Sequence, residues 1–176
     1  QNGMFLDVST LLKASQALAQ EVQLESLLPK MIKIVLENAG AERGVLVQRQ
    51  EKGMYVMATS STETGKSEGL LSIPLEESQD ISVRLVNYVI RTQKPLVIGD
   101  ASNDKKYTSD PYIQVKQPKS VLCFPIVRKK EVLCVLYLEN NLTTDAFTTD
   151  RVRLLTTLSA QIAISLENSL FYQELE

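Results

Sequence analysis

Two thiols, Cys123 and Cys134, lie in the apolar runs "SVLCFPI" and "VLCVLYLENN", and the second run ends in one carboxylate, Glu139. Neighbouring thiols can form a redox pair or hold a metal, but two cysteines at this spacing are an incomplete zinc set. The chain contains no histidine. That removes Ser-His and Cys-His nucleophile pairs, histidine-ligated metal sites and imidazole acid–base work together. Glu139 has no second carboxylate at an evident spacing, so general acid–base catalysis lacks its partner. Gly65-Lys66-Ser67 ends like a phosphate-binding loop, yet Ser60 stands where the first glycine must be and a strand pattern follows. These residues do not add up to a catalytic or metal site, and the chain is read as non-enzymatic.

Binding chemistry is better represented. Lys105, Lys106, Tyr107, Asp110 and Tyr112 place charge, phenol and carboxylate in one polar stretch between apolar segments. Planar rings stack on a ligand face while charges fix its orientation, so such a loop suits a lid over a small polar molecule. Arg84, on a helical pattern, is a candidate anion contact. Asp100, ending the short strand "PLVIGD", either caps the next turn or points inward. The candidate ligand-binding side chains are therefore Arg84, Asp100, Tyr107, Asp110, Tyr112 and Cys123.

The elements that must position them follow from periodicity. Met4 to Val22 and Leu24 to Asn38 carry apolar residues at spacings of three and four, which predicts two helices. Asn38-Ala39-Gly40 ends the second. Arg43 to Arg49 and Met54 to Ser60 read as a hairpin around Glu51-Lys52-Gly53, and Leu70 to Leu75 as a third strand. Helical spacing returns from Ile81 to Thr92, and Asp110-Pro111 predicts a capped helical turn. Ser120 to Val127 and Val132 to Glu139 form a last hairpin before a long helix from Thr148 to Leu175. The fold class is α+β, with a mostly antiparallel sheet.

Val132 to Leu138 are apolar on both parities, so this strand is covered on both faces and central. With Lys129-Lys130 as a two-residue turn, Pro125 falls opposite Cys134 and Cys123 lies on the same face, one diagonal step away. The thiols are then neighbours, either as two buried small hydrophobes or as a reactive pair.

A length of 176 residues with 44% apolar and 23% charged content suits one globular domain. The net charge of −2 gives no reason to expect nucleic acid or an anionic membrane as partner, and two cysteines point to a reducing cytoplasm. Gln1-Asn2-Gly3 ahead of Met4 reads as an appended remnant. The final helix carries two apolar stripes, more than one sheet face buries. With the 4–22 helix it predicts a homodimeric bundle. Leu11 and Leu18 on the first helix, and Leu155, Ile162, Leu166 and Leu170 on the last, are the expected dimer contacts.

"PLVIGDASND", "SVLCFPI", "VLCVLYLENN" and "AFTTDRVRLLTTLSAQIAISLENSLFYQELE" together resemble a GAF domain, of the type in multidomain bacterial sensor kinases. The resemblance runs from about Leu24 to Leu175. It implies a core over 24–147 and a helix over 148–176 leading to a covalently linked output domain. It also implies a six-stranded antiparallel sheet, with terminal helices on one face and a small-molecule pocket, roofed by a helix and loop, on the other. The family's bilin carriers use a cysteine usually followed by histidine; here Phe124 and Val135 follow the cysteines, so no covalent bilin is expected. Haem needs a histidine ligand and is not expected either. The cyclic-nucleotide pattern of Asn-Lys, then Phe and Asp-Glu, is met at Asn140 and Phe147 but not by Asn141 or by Thr148-Thr149-Asp150-Arg151. A cyclic-nucleotide-like ligand stays open on those two matches. The implied role is a sensor module that relays small-molecule binding to a kinase-type output. A pure dimerisation module and a thiol-based redox sensor or reductase are the alternatives.

Overall fold

Alternating side-chain direction along the strands decides the architecture, because both faces of the sheet are apolar and each must be covered. The computed structural model describes residues 24–175. Helix α1 (Leu24–Ala39) leads into β1 (Arg43–Gln50), β2 (Gly53–Ser61) and β3 (Ser67–Pro74). Helix α2 (Val83–Thr92) and the short strand β4 (Leu96–Ile98) follow. A loop with two 3₁₀ turns then reaches α3 (Pro111–Lys116), β5 (Ser120–Arg128), β6 (Glu131–Asn140) and α4 (Thr149–Leu175). The six strands lie in the order β3-β2-β1-β6-β5-β4, with every neighbouring pair antiparallel. Strand β6 is central, as its unbroken apolar run requires. Among the described residues, no helix is long and apolar enough to cross a membrane.

One face of the sheet carries Leu46, Leu122, Phe124, Cys134, Leu136 and Leu138, and packs against α1 and α4. Leu155, Leu158, Ile162 and Leu166 of α4 are all within this layer, between 0 and 3% exposed. The expectation that Leu155, Ile162 and Leu166 face a partner chain is therefore corrected: these side chains are spent on the chain's own core. α1 contributes Leu28, Met31, Ile32 and Val35. Pro29 lies inside this helix, beyond the first turn that tolerates proline best. The Pro29 ring is used in packing: a Cβ on Gly69 of β3 would meet Pro29 Cδ at 2.9 Å, so β3 needs glycine there to approach. Leu11 and Leu18 lie outside the described residues, as does the side chain of Leu170.

The opposite face presents Val45, Val47, Val121, Cys123, Val135 and Tyr137 to α2, whose Leu85, Val86 and Val89 close over them. Fully burying side chains of this kind stabilises by about 1.5–3 kcal/mol each. Ile98 of β4 and Ile113 of α3 complete this layer, from the sheet and from the roof respectively. α2 starts at Ser82, whose side chain accepts from the Leu85 amide, and ends at Gln93 in the left-handed region at φ 59°.

The β5–β6 hairpin turns through Lys129 and Lys130, both left-handed at φ 53° and 66°. That is the primed turn a two-residue hairpin needs. The register then shifts between Ile126 and Val127, with Val127 opposite Val132 but Ile126 opposite Cys134. Leu133 is the extra residue of a bulge, and everything beyond it is turned over by one position. Cys123 consequently pairs with Tyr137 and faces the roof, while Cys134 faces the helices. The expectation of neighbouring thiols fails for this reason.

Candidate functional site

Between α2 and the loop ahead of α3 lies an open cleft of about 690 Å³. Its helical wall is Arg84, Asn87, Tyr88 and Arg91, and its floor is Leu85 with Leu96 of β4. Lys106, Tyr107, Ser109 and Asp110 form the facing wall. Arg84 Nη1 donates to the Ser109 carbonyl at 3.3 Å, which ties the two walls at one end. The Arg91 guanidinium lies over the Tyr88 ring, 5.6 Å from its centroid. Tyr88 itself is 45% exposed, so part of its ring stays open to stacking beside the Arg91 guanidinium. Burial, with Asp104 and Tyr88 nearby, pushes the Tyr107 phenol above its ordinary pKa.

Asp110 is buried and explains how the loop is held. Its Oδ1 accepts from the Tyr112 and Ile113 amides at 2.9 and 3.1 Å, capping α3, with Pro111 in the first position. Its Oδ2 accepts from the Ser82 hydroxyl at 2.5 Å. The same Ser82 oxygen caps α2, so one buried pair fixes both helix starts.

A second polar cluster closes the roof beside the cleft. The Glu139 side chain at the end of β6 is 2% exposed and pairs with Arg43 of β1 at 3.0 Å. The Tyr112 and Tyr137 hydroxyls both donate to Glu139 Oε2, at 2.5 and 2.8 Å, and the two rings meet edge to face. Arg43 also donates to the Tyr112 hydroxyl and to the Asp80 carbonyl. Burial alone would lower the Arg43 pKa, but Glu139 and the phenols raise it, so the guanidinium stays charged. Burial first, and then Glu139, push both phenols upward. A buried carboxylate satisfied by one cation and two hydroxyls is a fastener for the roof. A hollow of about 250 Å³ opens beside it.

The structure thus brings together Arg84, Tyr107 and Asp110 at the cleft and leaves the other three candidates elsewhere. Tyr112 belongs to the Glu139 cluster. Asp100 accepts from Ser102 and Asn103 at the first 3₁₀ turn. Cys123 is buried beneath α2, its thiol pointing at the Leu85 carbonyl, and burial raises the pKa of both cysteines. Inert thiols on opposite faces of a sheet do not make a reactive pair. Tyr88 and Arg91 escaped sequence reasoning, although their spacing of four and seven from Arg84 marks one helix stripe. Arg43 escaped too. Its signal was Glu139 itself, since a carboxylate ending a wholly apolar central strand must find a cation.

The family model for the GAF domain matches residues 23–166. The chain belongs to the GAF domain family. This GAF domain is 40% identical over 90 residues to hybrid signal transduction histidine kinase G of Dictyostelium discoideum, a match covering 51% of the chain and 3% of that protein. Over 173 residues it is 28% identical to the peroxide stress-activated histidine kinase mak3 of Schizosaccharomyces pombe, covering 96% of the chain and 7% of the kinase. The chain therefore spans only a small part of these relatives. The GAF domain of the Acinetobacter phosphoenolpyruvate-protein phosphotransferase superposes with a TM-score of 0.71 at 21% identity, covering 93% of this chain and 94% of that one. That likeness concerns the fold.

Proposed function

We propose that this GAF domain is the regulatory sensor module of a cytoplasmic histidine-kinase-type signalling protein, with a small molecule in the α2–loop cleft as its input. The observation that carries this is the cleft itself: an open, ring-lined and charge-lined hollow whose walls belong to separate segments. Its similarity to two multidomain histidine kinases supports a linked output domain. Relay to the terminal helices has a physical route. Gln93, ending α2, donates to the Lys130 carbonyl at the hairpin tip, and Arg128 of the same hairpin pairs with Glu167 of α4 at 2.8 Å. A ligand that binds one arrangement of α2 more tightly shifts the population of whatever α4 reports. Homodimerisation through faces of the terminal helices other than the buried Leu155–Leu166 stripe completes this reading.

Native mass spectrometry of gently purified protein, set against its denatured mass, tests it. A dimer carrying a noncovalent adduct supports the sensor, and a ligand-free monomer at tens of micromolar refutes both parts. One observation favours a second reading. The sheet's roof-side face is filled by its own side chains, as a dimerisation module with a vestigial pocket would have it. A clean dimer that takes up no small molecule would favour that alternative. A thiol-based sensor or reductase draws support from the peroxide-activated relative but not from the buried, separated cysteines.

A further inference from the structure

Arg84, Asn87, Tyr88 and Arg91 fall at positions i, i+3, i+4 and i+7 of α2, so they form a single stripe along the cleft. At 1.5 Å of rise per residue, the two arginine positions are about 10 Å apart along the helix axis, with Tyr88 between them. Lys106 and Tyr107 face that stripe from the loop. Asp110 is the carboxylate among the lining residues, and its oxygens are already engaged by Ser82 and two backbone amides. Asp104, just outside, is occupied in capping the turn at the Lys106 amide. The charge left to a ligand is positive and sits at both ends of a ring-lined slot. A bare inorganic anion would leave the rings and the Leu85–Leu96 floor unused. A neutral ring would make no use of the three cations at Arg84, Arg91 and Lys106.

We infer that the ligand class of this cleft is a flat aromatic molecule bearing an acidic group, carboxylate or phosphate, at each end. The ring stacks on Tyr88 and Tyr107, and the acidic groups meet Arg84 at one end and Arg91 with Lys106 at the other. This rests on the cleft being the sensory site. Arginine suits the task because its planar fork engages both oxygens of a carboxylate or phosphate.

The test is a titration of the whole chain with naphthalene-2,6-dicarboxylate, read by calorimetry and by amide chemical shifts. Octanedioate, 2-naphthoate, 2-naphthyl phosphate and neutral 2-naphthamide are run beside it. Saturable binding of the dicarboxylate is expected, with shifts confined to residues 84–91 and 105–110. Octanedioate and 2-naphthoate should each bind at least about fivefold more weakly. Arg84→Gln and Arg91→Gln, each with unchanged melting temperature, should each weaken the dicarboxylate about fivefold or more, as loss of a charge-assisted hydrogen bond does. The 2-naphthyl phosphate against 2-naphthoate comparison tells which acid is preferred. If 2-naphthamide binds as tightly as the dicarboxylate, with shifts in the cleft, the acidic class is overturned while the cleft remains the sensory site. If none of these rings shifts the cleft residues, the class is overturned and the sensory reading stands or falls on the native mass measurement. Tight binding unaffected by either arginine substitution also overturns the class.

Discussion

Removing the cation from the Glu139 cluster is the sharpest test of how the roof is held. Arg43→Met keeps an unbranched side chain but leaves a carboxylate whose side chain is 2% exposed without its charge partner, whereas the Arg43 side chain is 26% exposed. Breaking a buried pair from one side costs about 3–5 kcal/mol. Glu139 keeps the two tyrosine hydroxyls and the Asn141 amide, so the lower end, about 3 kcal/mol, is expected. For a domain of this size, that lowers the melting temperature by about 6–12 °C. Glu139→Gln leaves the more exposed arginine unpaired and should cost about 1–2 kcal/mol. If the charges act as a pair, the double variant is less destabilised than the sum, with a coupling of about 1–2 kcal/mol. Urea unfolding followed by far-ultraviolet circular dichroism and tyrosine fluorescence measures all four corners, the chain having no tryptophan. Additivity within about 0.5 kcal/mol would refute a fastening role for the pair.

Two further outcomes are expected. Ser82→Ala removes both the α2 cap and the hydroxyl donated to Asp110, and should cost about 2 kcal/mol. Hydrogen exchange should quicken in the first turns of α2 and α3 together; quickening in α2 alone contradicts the shared cap. Burial raises the pKa of Cys123 and Cys134, and burial with Glu139 raises Tyr112 and Tyr137, so all four stay protonated in the fold where the unfolded chain loses protons. Above the unfolded thiol and phenol values of about 8.5 and 10, the unfolded state binds fewer protons and stability must fall as pH rises. Melting temperature should therefore be insensitive to these four groups below about pH 8 and drop steadily above about pH 9. Native-state phenolate absorbance from all six tyrosines by about pH 10 would count against it.

The sheet was legible because its signals are local. Val132 to Leu138 announce a strand covered on both faces, and Asp110-Pro111 announce a capped helix start. The two errors both came from relations that no local pattern carries. Whether the final helix's stripe faced its own sheet or a second chain depended on how much apolar area α1 and the strands offered, and they took Leu155 to Leu166 entirely. The bulge at Leu133 shifts by one the pairing of every residue beyond it, and neither β-propensity nor turn chemistry reports it. The site was half legible for a similar reason. Arg84, Tyr107 and Asp110 were found by residue type, whereas Tyr88 and Arg91 needed the helix stripe to be followed to its end. Arg43 and Glu139 are 96 positions apart in sequence and meet only because β1 lies beside β6.

The shared cap at Ser82 and Asp110 gives the cleft a mechanical asymmetry. α2 is anchored at its start by that cap and at its end by Gln93 on the hairpin tip, so it is the fixed jaw. The other jaw, the loop over 103–109, is tied at its two ends, by Asn103 on Asp100 and by Gln114 and Arg84 on the Thr108 and Ser109 carbonyls, with 105–107 between the ties. On the sensory reading proposed above, a ligand in the cleft is felt first by Lys106 and Tyr107, which face the anchored helix from between those ties.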